Sequence, residues 1–332
     1  MSNDKSVILI TGATGKVGQN LIRLISSNKN WGDSRLKVLC HNRKIDENKR
    51  INVVNGSIVD HDTVKNAMEG VTHVVHLATC KENQADIMDI SIKGLFWLLE
   101  ESRISSTFRQ FILVGGDASM GHFFHQHPIP IVENQKYHPY SGCYALSKVL
   151  EEVMLEQYYT QYNLNGCCCL RAPWIMEKDD FKYSLSFGED VFGSPKWCEY
   201  VTEDKAKEYV KQKTIPIMLD RNNQPVLRNF VHVEDLCSAM ISALDNPNAH
   251  QELFNICMDE PINYREVAVY LKKTKNLPSV ELKTLYFSNW LDNSKAKFLL
   301  KWRPKFNMEK LIDSAWSYKR DPSDPRQIWY PG

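Results

Sequence analysis

The stretch ILITGATGKVGQNLIRLI, residues 8–25, decides the fold because an apolar run, a glycine-rich turn and a helical pattern follow one another in it. Gly12, Gly15 and Gly18 lie in the turn and at the start of the helical pattern. Glycines let the backbone approach a pyrophosphate, and the amides at a helix N-terminus supply positive potential. The spacing is GxxGxxG, and with its flanking strand and helix it predicts a nucleotide-binding turn rather than a purely structural one.

Short apolar runs alternate with helical patterns through the first half of the 332-residue chain. This alternation predicts an α/β fold, a Rossmann-type doubly wound parallel sheet with a smaller C-terminal α/β substrate lobe. We expect the dinucleotide-binding domain to span residues 1–175, with a returning segment near 226–247. The ranges 176–225 and 248–332 are expected to form the substrate-binding lobe, because the regular alternation is lost after about residue 176.

Composition excludes several classes of partner. The chain has 41 Lys and Arg against 40 Asp and Glu, a formal net charge of +1, which gives no electrostatic footprint for nucleic acid or an anionic membrane. No apolar stretch approaches the length of a membrane span. We therefore expect a cytoplasmic protein that binds a small-molecule substrate and holds any anionic group locally.

Cysteine and histidine patterns do not predict a metal site. The nine cysteines include the run at 167–169, whose members alternate between the faces of a strand, and no CxxC spacing occurs. We interpret them as reduced core residues. His122, His125 and His127 are not spaced to share one face of a helix or strand, and we interpret them as solvated loop residues.

The end of the second predicted strand, in KVLCHNRK (37–44), bears on cofactor choice. A carboxylate at this place would bind the adenosine ribose and repel a 2′-phosphate. Asn42 occupies it, followed by Arg43. An uncharged amide beside a guanidinium that can bind phosphate favours NADP slightly over NAD, with a solvated surface arginine as the alternative.

The segment YALSK, residues 144–148, places Tyr144 and Lys148 four residues apart at the start of a helix, so that they share a face. A phenol titrates near ~10, and a neighbouring ammonium favours its phenolate. We predict Tyr144 as the acid/base, with Lys148 as its activator and a ribose ligand. Taken alone, an exposed helical pair is the alternative.

With these motifs the chain resembles an extended short-chain dehydrogenase/reductase of the NAD-dependent epimerase/dehydratase family, which includes nucleotide-sugar epimerases. The resemblance rests on TGATGKVG, VVHLAT, YALSK, LRAPWI, RNFVHVEDL, FNICMDEPI and LDNSKAKFLLKWRP. It implies a nicotinamide dinucleotide bound by Gly12, Thr14, Gly15, Lys16, Val17, Gly18, Asn42, Arg43, Ser57, Ile58, Leu77, Ala78, Thr79, Tyr144, Lys148 and Pro173.

Three residues depart from the pattern of that family. Ser91 replaces an Asn that supports the active site in many members, and Ser57 replaces an Asp that contacts adenine. Gly116 stands where the catalytic Ser or Thr is usual. Without that hydroxyl, hydride transfer would lose ~2–4 kcal/mol of stabilisation unless another donor replaces it.

Asp117 is the first candidate for the missing catalytic group, because dehydratases of the family carry an acid directly after their Thr. The second acid of that pair is Ala118 here, so that sugar 4,6-dehydration is doubtful. Ser119, assigned to the substrate site, and the nearby Ser141 and Cys143 are other candidates. Backbone amides of the glycine pair at 115–116 are a further one.

Two more residues are assigned to the substrate site. Trp174, with the polar residues 177–179 after it, would form a pocket edge suited to a hydroxylated substrate, and a salt-bridged surface loop is the alternative. The resemblance implies that Arg228 contacts the diphosphate of a sugar nucleotide. An ion pair with the acids of HVEDL is the alternative for Arg228.

These features predict an NAD(P)-dependent oxidoreductase or epimerase that acts on a secondary alcohol or ketone of a sugar, sugar acid or nucleotide sugar. The departures at 57, 91 and 116 raise an alternative from another class, a catalytically impaired dinucleotide-binding sensor or interaction protein. A homodimer is also predicted, because the helical segments at 86–102 and 144–162 carry wide apolar surfaces through which relatives pair.

Overall fold

A computed structural model describes residues 6–164, 166–188 and 195–324. The strands within these ranges are β1 (Val7–Thr11), β2 (Arg35–Cys40), β3 (Ile51–Asn55), β4 (His73–His76), β5 (Gln110–Gly116), β6 (Cys167–Ala172), β7 (Trp174–Met176), β8 (Ile215–Leu219), β9 (Leu227–Arg228), β10 (Phe230–His232), β11 (Glu252–Asn255), β12 (Ile262–Asn263) and β13 (Ser279–Lys283). The α-helices are α1 (Lys16–Ser27), α2 (His61–Met68), α3 (Gly94–Ile104), α4 (Cys143–Tyr162), α5 (Asp180–Ser184), α6 (Glu203–Gln212), α7 (Val233–Ala243), α8 (Tyr264–Lys275), α9 (Ser294–Leu299) and α10 (Met308–Ser317).

Seven of these strands form one parallel sheet in the order β11-β6-β5-β4-β1-β2-β3. The predicted Rossmann-type doubly wound sheet is therefore confirmed. The chain order reverses at β1, which pairs with β2 on one side and β4 on the other. A crevice at the carboxyl ends of the strands on either side of such a reversal is the usual ligand site of this architecture.

The sheet separates two apolar layers. Successive residues of a strand point to opposite faces, and β1 shows this directly. Ile8 and Ile10 pack in a core that includes Leu21 of α1 and Leu236 of α7. Leu9 packs in the opposite core with residues of α2, α3 and α4. Burial on both faces explains why β1 is an uninterrupted apolar run.

A second lobe has its own core. β8 and β13 pair in parallel, and α8 and α10 cover them through residues such as Leu271 and Ile312. Trp197 is fully buried in the same core and donates from its indole nitrogen to the carbonyl of Ser184 at 2.7 Å. Part of the segment that leads into this lobe, residues 189–194, lies outside the described residues.

One predicted domain boundary needs correction. Residues 248–332 were assigned to the substrate-binding lobe, but β11 pairs with β6 and forms the edge of the main sheet. Phe254 and Ile256 are fully buried in the main core, which gives the physical reason for the return. A strand of four residues carries too short a pattern to be assigned to either lobe from sequence.

The nine cysteines are free, and six of them are buried. Burial raises the pKa of the Cys167 thiol to about 12, so that the thiol is protonated at neutral pH. The core interpretation therefore holds for these six residues, while Cys80, Cys143 and Cys198 are half-buried. In the described part of the chain, no helix combines the length and the apolar character needed to cross a membrane.

Candidate active site

The glycine-rich turn places the N-terminus of α1 against the edge of the sheet. Gly12 has the left-handed φ of +65°, and a β-carbon there would lie 2.7 Å from the amide nitrogen of Ala78. A β-carbon at Gly18 would lie 2.5 Å from the Cα of Ala13. Gly15 is the N-cap of α1, and its amide donates to the carbonyl of Gly12 at 3.0 Å. Glycine is therefore required for the close packing that exposes the helix N-terminus to a ligand.

A cavity of about 730 Å³ runs along the carboxyl ends of the central strands. Its volume lies in the range of about 300–1,000 Å³ that is typical of small-molecule sites. Together with the glycine turn, this cavity fits a nicotinamide dinucleotide. The sixteen residues assigned to the cofactor all line it, namely Gly12, Thr14, Gly15, Lys16, Val17, Gly18, Asn42, Arg43, Ser57, Ile58, Leu77, Ala78, Thr79, Tyr144, Lys148 and Pro173.

The wall that follows β2 carries no carboxylate. Asn42 and Arg43 are exposed and line the cavity there. The acidic residues that line the cavity in the described part of the chain, Asp86, Asp89 and Asp117, come from other elements. At the place where an adenosine ribose would lie, the cavity is therefore lined by the guanidinium of Arg43 and not by a carboxylate from the end of β2.

Two ammonium groups lie near the ring of Tyr144. It is the second residue of α4, only 9% exposed, and it lines the cavity. The Nζ of Lys148 lies 5.5 Å from the centroid of its ring, and the Nζ of Lys81 lies 4.1 Å from it. Helical spacing predicted the contact with Lys148, whereas Lys81 comes from the loop after β4 and carried no sequence signal.

Lys148 has a partner that sequence reasoning missed. Its Nζ donates to a carboxylate oxygen of Glu151 at 2.7 Å, and both side chains are buried. Burial acts to lower the pKa of Lys148, but the charges of Glu151 and Tyr144 outweigh it and raise the pKa. Burial raises the pKa of the Glu151 carboxyl despite that pairing. The spacing of three residues on a helix was the available signal.

Glu82 is a second residue that sequence reasoning missed. Its carboxylate accepts from the amides of Cys143 and Tyr144, at 3.0 and 3.3 Å, and from the hydroxyl of Tyr140 at 3.2 Å. A carboxylate at a helix N-terminus is stabilised by the free amides and the helix dipole. Glu82 therefore fixes the start of α4 and, with it, the position of Tyr144. A β-carbon at Gly142 would clash with this carboxylate.

The two glycines that end β5 have different surroundings. A β-carbon at Gly115 would lie 2.9 Å from the Sγ of Cys169 and 3.1 Å from a carboxylate oxygen of Glu152, which leaves no space for a side chain. A β-carbon at Gly116 would lie 3.5 Å from the hydroxyl of Tyr144, which is an ordinary contact. Gly116 is also in extended backbone that any residue adopts, with φ −145° and ψ 145°. Packing therefore requires glycine at 115 but not at 116.

Asp117 and His122 form a pair at the wall of the cavity. The Nδ1 of His122 lies 2.5 Å from a carboxylate oxygen of Asp117, and the two side chains are 9% and 14% exposed. His122 is therefore not the solvated loop residue that its sequence context predicted. Its ring stacks on Tyr140 with centroids 5.4 Å apart. By contrast, His125 stacks on His138 at 3.9 Å, away from the cavity lining.

Ser119 lies behind the cavity wall. It is fully buried, and its single hydroxyl hydrogen is shared between the carbonyl of Gly116, at 3.0 Å from Oγ, and a carboxylate oxygen of Glu152, at 3.3 Å. Both bonds hold it in the turn after β5. The sequence assignment of Ser119 to the substrate site is corrected on this point.

Arg228 lies in an aromatic cage beside the cavity. It is 5% exposed, and its guanidinium carbon lies 4.0 Å from the ring centroid of Phe123 and 4.4 Å from that of Trp174. Trp174 lines the main cavity, while Arg228 lines a small inner pocket of about 10 Å³. Asp117 and His122 line both spaces and so stand between them.

The alternative ion pair of Arg228 with the acids of HVEDL is not what the structure has. Glu234 pairs with Arg23 at 2.7 Å. Asp235 accepts hydrogen bonds from the two backbone amides at 305–306. Burial lowers the pKa of Arg228, and the nearby Tyr264 and Asp117 charges act in the opposite direction.

The polar residues after Trp174 serve to hold the loop. Glu177 accepts from the side-chain amide of Asn20 at 3.0 Å, and Lys178 pairs with Asp324 at 2.7 Å. Asp179 pairs with Arg320. The salt-bridged loop is therefore the better description of residues 177–179, and only Trp174 of this segment, with the 173 and 175 positions beside it, lines the cavity.

Ser91 and Ser57, which stand where the family usually has Asn and Asp, both make local hydrogen bonds. Ser91 is fully buried in a π-helical turn, Met88–Lys93, and its hydroxyl accepts from the amide of Cys80 at 3.2 Å. It thus holds the loop after β4 against the helix before α3. Ser57 lines the cavity, and its hydroxyl accepts from the amide of Val59 at 3.4 Å.

Comparison with known proteins places this geometry in a family. The family model described as GDP-mannose 4,6 dehydratase matches residues 9–315. UDP-glucuronate 4-epimerase 4 of Arabidopsis thaliana is 24% identical over 263 residues, which are 74% of this chain and 55% of the relative. The chain thus spans about half the length of this curated relative.

Two solved structures share the fold. A short-chain dehydrogenase/reductase superfamily protein from Agrobacterium tumefaciens, solved with bound NAD, superposes with a TM-score of 0.76 at 19% identity, over 93% of this chain and 95% of that one. UDP-glucuronic acid 4-epimerase from Bacillus cereus, solved with NAD, superposes with a TM-score of 0.72 at 19% identity, over 94% and 98%.

Proposed function

Because the chain belongs to the GDP-mannose 4,6-dehydratase family of extended short-chain dehydrogenases/reductases, we propose that it is an NAD(P)-dependent epimerase acting at a secondary alcohol of a nucleotide-linked sugar or sugar acid. One observation carries this proposal. Tyr144, Lys148 and the glycine turn at 12–18 converge on a single cavity of dinucleotide size. The Arabidopsis relative is a UDP-glucuronate epimerase by name, which makes UDP-sugar acids the first substrates to test.

Different residues of the chain would bind the cofactor and transfer the proton. A bound nicotinamide dinucleotide would supply the ring carbon that accepts and returns a hydride. Gly12, Gly15 and the N-terminus of α1 would hold its pyrophosphate. Tyr144 would take the proton of the substrate hydroxyl and return it, with Lys81 and Lys148 beside its ring to offset negative charge. Burial of Tyr144 and Lys148 keeps this exchange away from bulk water.

Epimerisation fits the chain better than dehydration. Dehydration requires an acid that protonates a departing hydroxyl, and relatives that dehydrate carry a pair of acids after the catalytic Thr. Ala118 stands at the second of those positions, and Asp117 is already paired with His122. Epimerisation needs only that the hydride return to the opposite face of the carbonyl carbon and that a proton return to its oxygen.

In this proposal the protein binds NADP with a slight preference over NAD. Arg43 is exposed on the cavity wall next to Asn42, with no carboxylate from the end of β2 to repel a phosphate. The two solved neighbours described above contain NAD, so that NAD is the competing outcome. Direct titration with both dinucleotides decides between them.

The proposed assembly is a homodimer through α3 and α4. Leu146 is 49% exposed and Tyr162 47% on α4, and Phe96 is 37% exposed on α3. Met88, in the turn that leads into α3, is 48% exposed. Exposed apolar side chains on adjacent helices are typical of an isologous interface.

A second candidate function, a dinucleotide sensor without turnover, is favoured by two observations. Gly116 provides no hydroxyl beside Tyr144, and the ammonium of Lys148 is bound by Glu151. Retention of Tyr144 in the cavity favours the enzyme. The substitution Tyr144→Phe separates the two functions, because a sensor does not need the hydroxyl.

The test is conversion of a panel of nucleotide sugars, including UDP-glucuronate, UDP-glucose and GDP-mannose, followed by proton NMR with added NAD or NADP. We expect a new epimer from at least one of them, and a loss of about 10²–10⁴-fold in rate for Tyr144→Phe with unchanged dinucleotide binding. A protein that binds dinucleotide but converts none of the panel, or an unchanged rate for Tyr144→Phe, would overturn the proposal.

A further inference from the structure

Asp117 and His122 both line the cavity, and their pairing uses one of the two nitrogens of the His122 ring. The Nδ1 of His122 is engaged by Asp117 at 2.5 Å. The Nε2 of the same ring is buried and has no hydrogen-bond partner among the residues that the structure describes. A buried polar atom without a partner is destabilising, so that a ligand group which satisfies it is favoured.

The backbone around His122 is held in an unusual conformation. Gly121 and His122 both have left-handed φ angles, +79° and +47°. A β-carbon at Gly121 would contact the carbonyl of His138 and the ring of His125. The side-chain amide of Asn289 donates to the carbonyls of His122 and His125 at 2.5 and 2.6 Å. These contacts hold the backbone that carries the imidazole, and the bond to Asp117 orients the ring.

The pair lies next to the place of the missing hydroxyl. Asp117 directly follows Gly116, whose β-carbon position is 3.5 Å from the hydroxyl of Tyr144. The ring of His122 stacks on Tyr140, and the hydroxyl of Tyr140 and the amide of Tyr144 bind the same carboxylate. All of these residues except Tyr140 line the main cavity.

Resting on the proposed function, we propose that His122 is a further catalytic residue, whose Nε2 binds the substrate oxygen at which Tyr144 exchanges its proton. It supplies the contact that a hydroxyl at position 116 would supply. Asp117 is the positioning residue: it accepts from the Nδ1–H and so directs the other nitrogen to the substrate. In the protonated form of the ring, Nε2–H donates to the oxygen. The substrate's own hydroxyl proton then remains directed to Tyr144.

Two substitutions at His122 distinguish the contributions of Nδ1 and Nε2. His122→Asn keeps an amide near the position of Nδ1 but removes Nε2, and Asn tolerates a left-handed φ. His122→Gln places an amide nitrogen near the position of Nε2. We expect His122→Asn to lower kcat about 100-fold, in the range for loss of one oxyanion donor, and His122→Gln to lower it less than tenfold. His125→Asn, in the same loop but outside the cavity lining, is the matched control and stays within twofold.

Rescue distinguishes a catalytic role from a structural one. Gly116→Ser introduces the hydroxyl beside Tyr144 without a steric clash, and in the His122→Asn background it should restore kcat at least tenfold. Dinucleotide affinity and the urea midpoint of His122→Asn should match the parent. Equal kcat for His122→Asn and the parent, or a loss that Gly116→Ser does not rescue, overturns the proposal.

A binding readout is independent of turnover. In the Tyr144→Phe variant with ¹⁵N-labelled histidine, addition of the converted nucleotide sugar should shift the Nε2 resonance of His122, whereas the nucleoside diphosphate alone should not. Absence of that shift overturns the role of His122 and leaves the proposed function standing. Failure of the parent protein to convert any nucleotide sugar, by contrast, overturns the proposed function itself.

Discussion

The pair Gly115 and Gly116 gives a stability prediction with opposite signs at adjacent positions. A β-carbon at Gly115 meets Cys169 at 2.9 Å and Glu152 at 3.1 Å. Glu152 cannot move freely, because both of its oxygens bind the buried Arg171 at 3.0 and 2.7 Å. Overpacking of a filled core costs ~1–3 kcal/mol. We expect Gly115→Ala to lower the free energy of unfolding by about 2 kcal/mol.

At Gly116 the same methyl group has room. Its neighbours would be the hydroxyl of Tyr144 at 3.5 Å and the aliphatic carbons of Lys148 at 3.6 Å. Replacing glycine in a compatible backbone stabilises by ~0.4–1 kcal/mol through the unfolded chain. Gly116→Ala should therefore raise the free energy of unfolding by about 0.5 kcal/mol.

Urea unfolding of the parent and both variants, followed by tryptophan fluorescence, measures the difference. The midpoint should fall for Gly115→Ala and stay or rise for Gly116→Ala, with unchanged slopes. Equal losses at both positions, or a larger loss at 116, would show that packing requires glycine at both. The absence of a hydroxyl at 116 would then have a steric cause and not a chemical one.

Three further substitutions test the cofactor preference, a buried histidine and the dimer surface. Arg43→Ala should weaken NADP binding about tenfold and leave NAD binding unchanged in a fluorescence titration. Equal weakening for both dinucleotides would contradict a contact between Arg43 and the 2′-phosphate. Burial, with the charge of Lys148, lowers the pKa of His76 to about 3. In the unfolded chain the pKa of a histidine is ~6.5, so that the unfolded state binds more protons than the folded state between these two pH values. The free energy of unfolding should therefore decrease as the pH is lowered from 7 to 5. His76→Asn should make this decrease smaller by about 2 kcal/mol. His250→Asn, at an exposed position, should leave it unchanged, and urea unfolding at both pH values checks this. Leu146→Asp should convert a dimer to a monomer in light scattering, while Val269→Asp, at an apolar position 64% exposed on α8, should not.

The sequence was sufficient for features that depend on short stretches of chain. The order of strand, glycine turn and helix in residues 8–25 predicted both the first βα unit and the position of the cavity. Tyr144 and Lys148 share a helix face because of a spacing of four. Since parallel strands bring their carboxyl ends to one edge, the turns after β1, β2, β4 and β5 could be placed together without coordinates.

Apart from Glu151, for which a spacing of three from Lys148 was an available signal, the features that sequence reasoning missed depend on a contact with a distant segment or on a local backbone turn. Glu82 caps α4 from a loop 61 residues before Cys143. His122 was interpreted as solvated because the spacing of His122, His125 and His127 does not place them on one face of a helix or strand. In the structure a left-handed turn brings His122 against Asp117. Neither periodicity nor composition reports a backbone reversal of this kind. The strand β11 was assigned to the wrong lobe for a related reason, since four residues do not show which sheet they join.

The most direct measurement is the fate of deuterium in a single conversion. The nucleotide sugar that the protein converts is deuterated at the carbon that inverts, and the product is examined by NMR after incubation in ordinary water. Retention of deuterium at that carbon in the epimer, with conversion lost in Tyr144→Phe, is the result that a hydride exchanged within the cavity predicts. Washout of the deuterium into solvent, or retention without dependence on Tyr144, would contradict it.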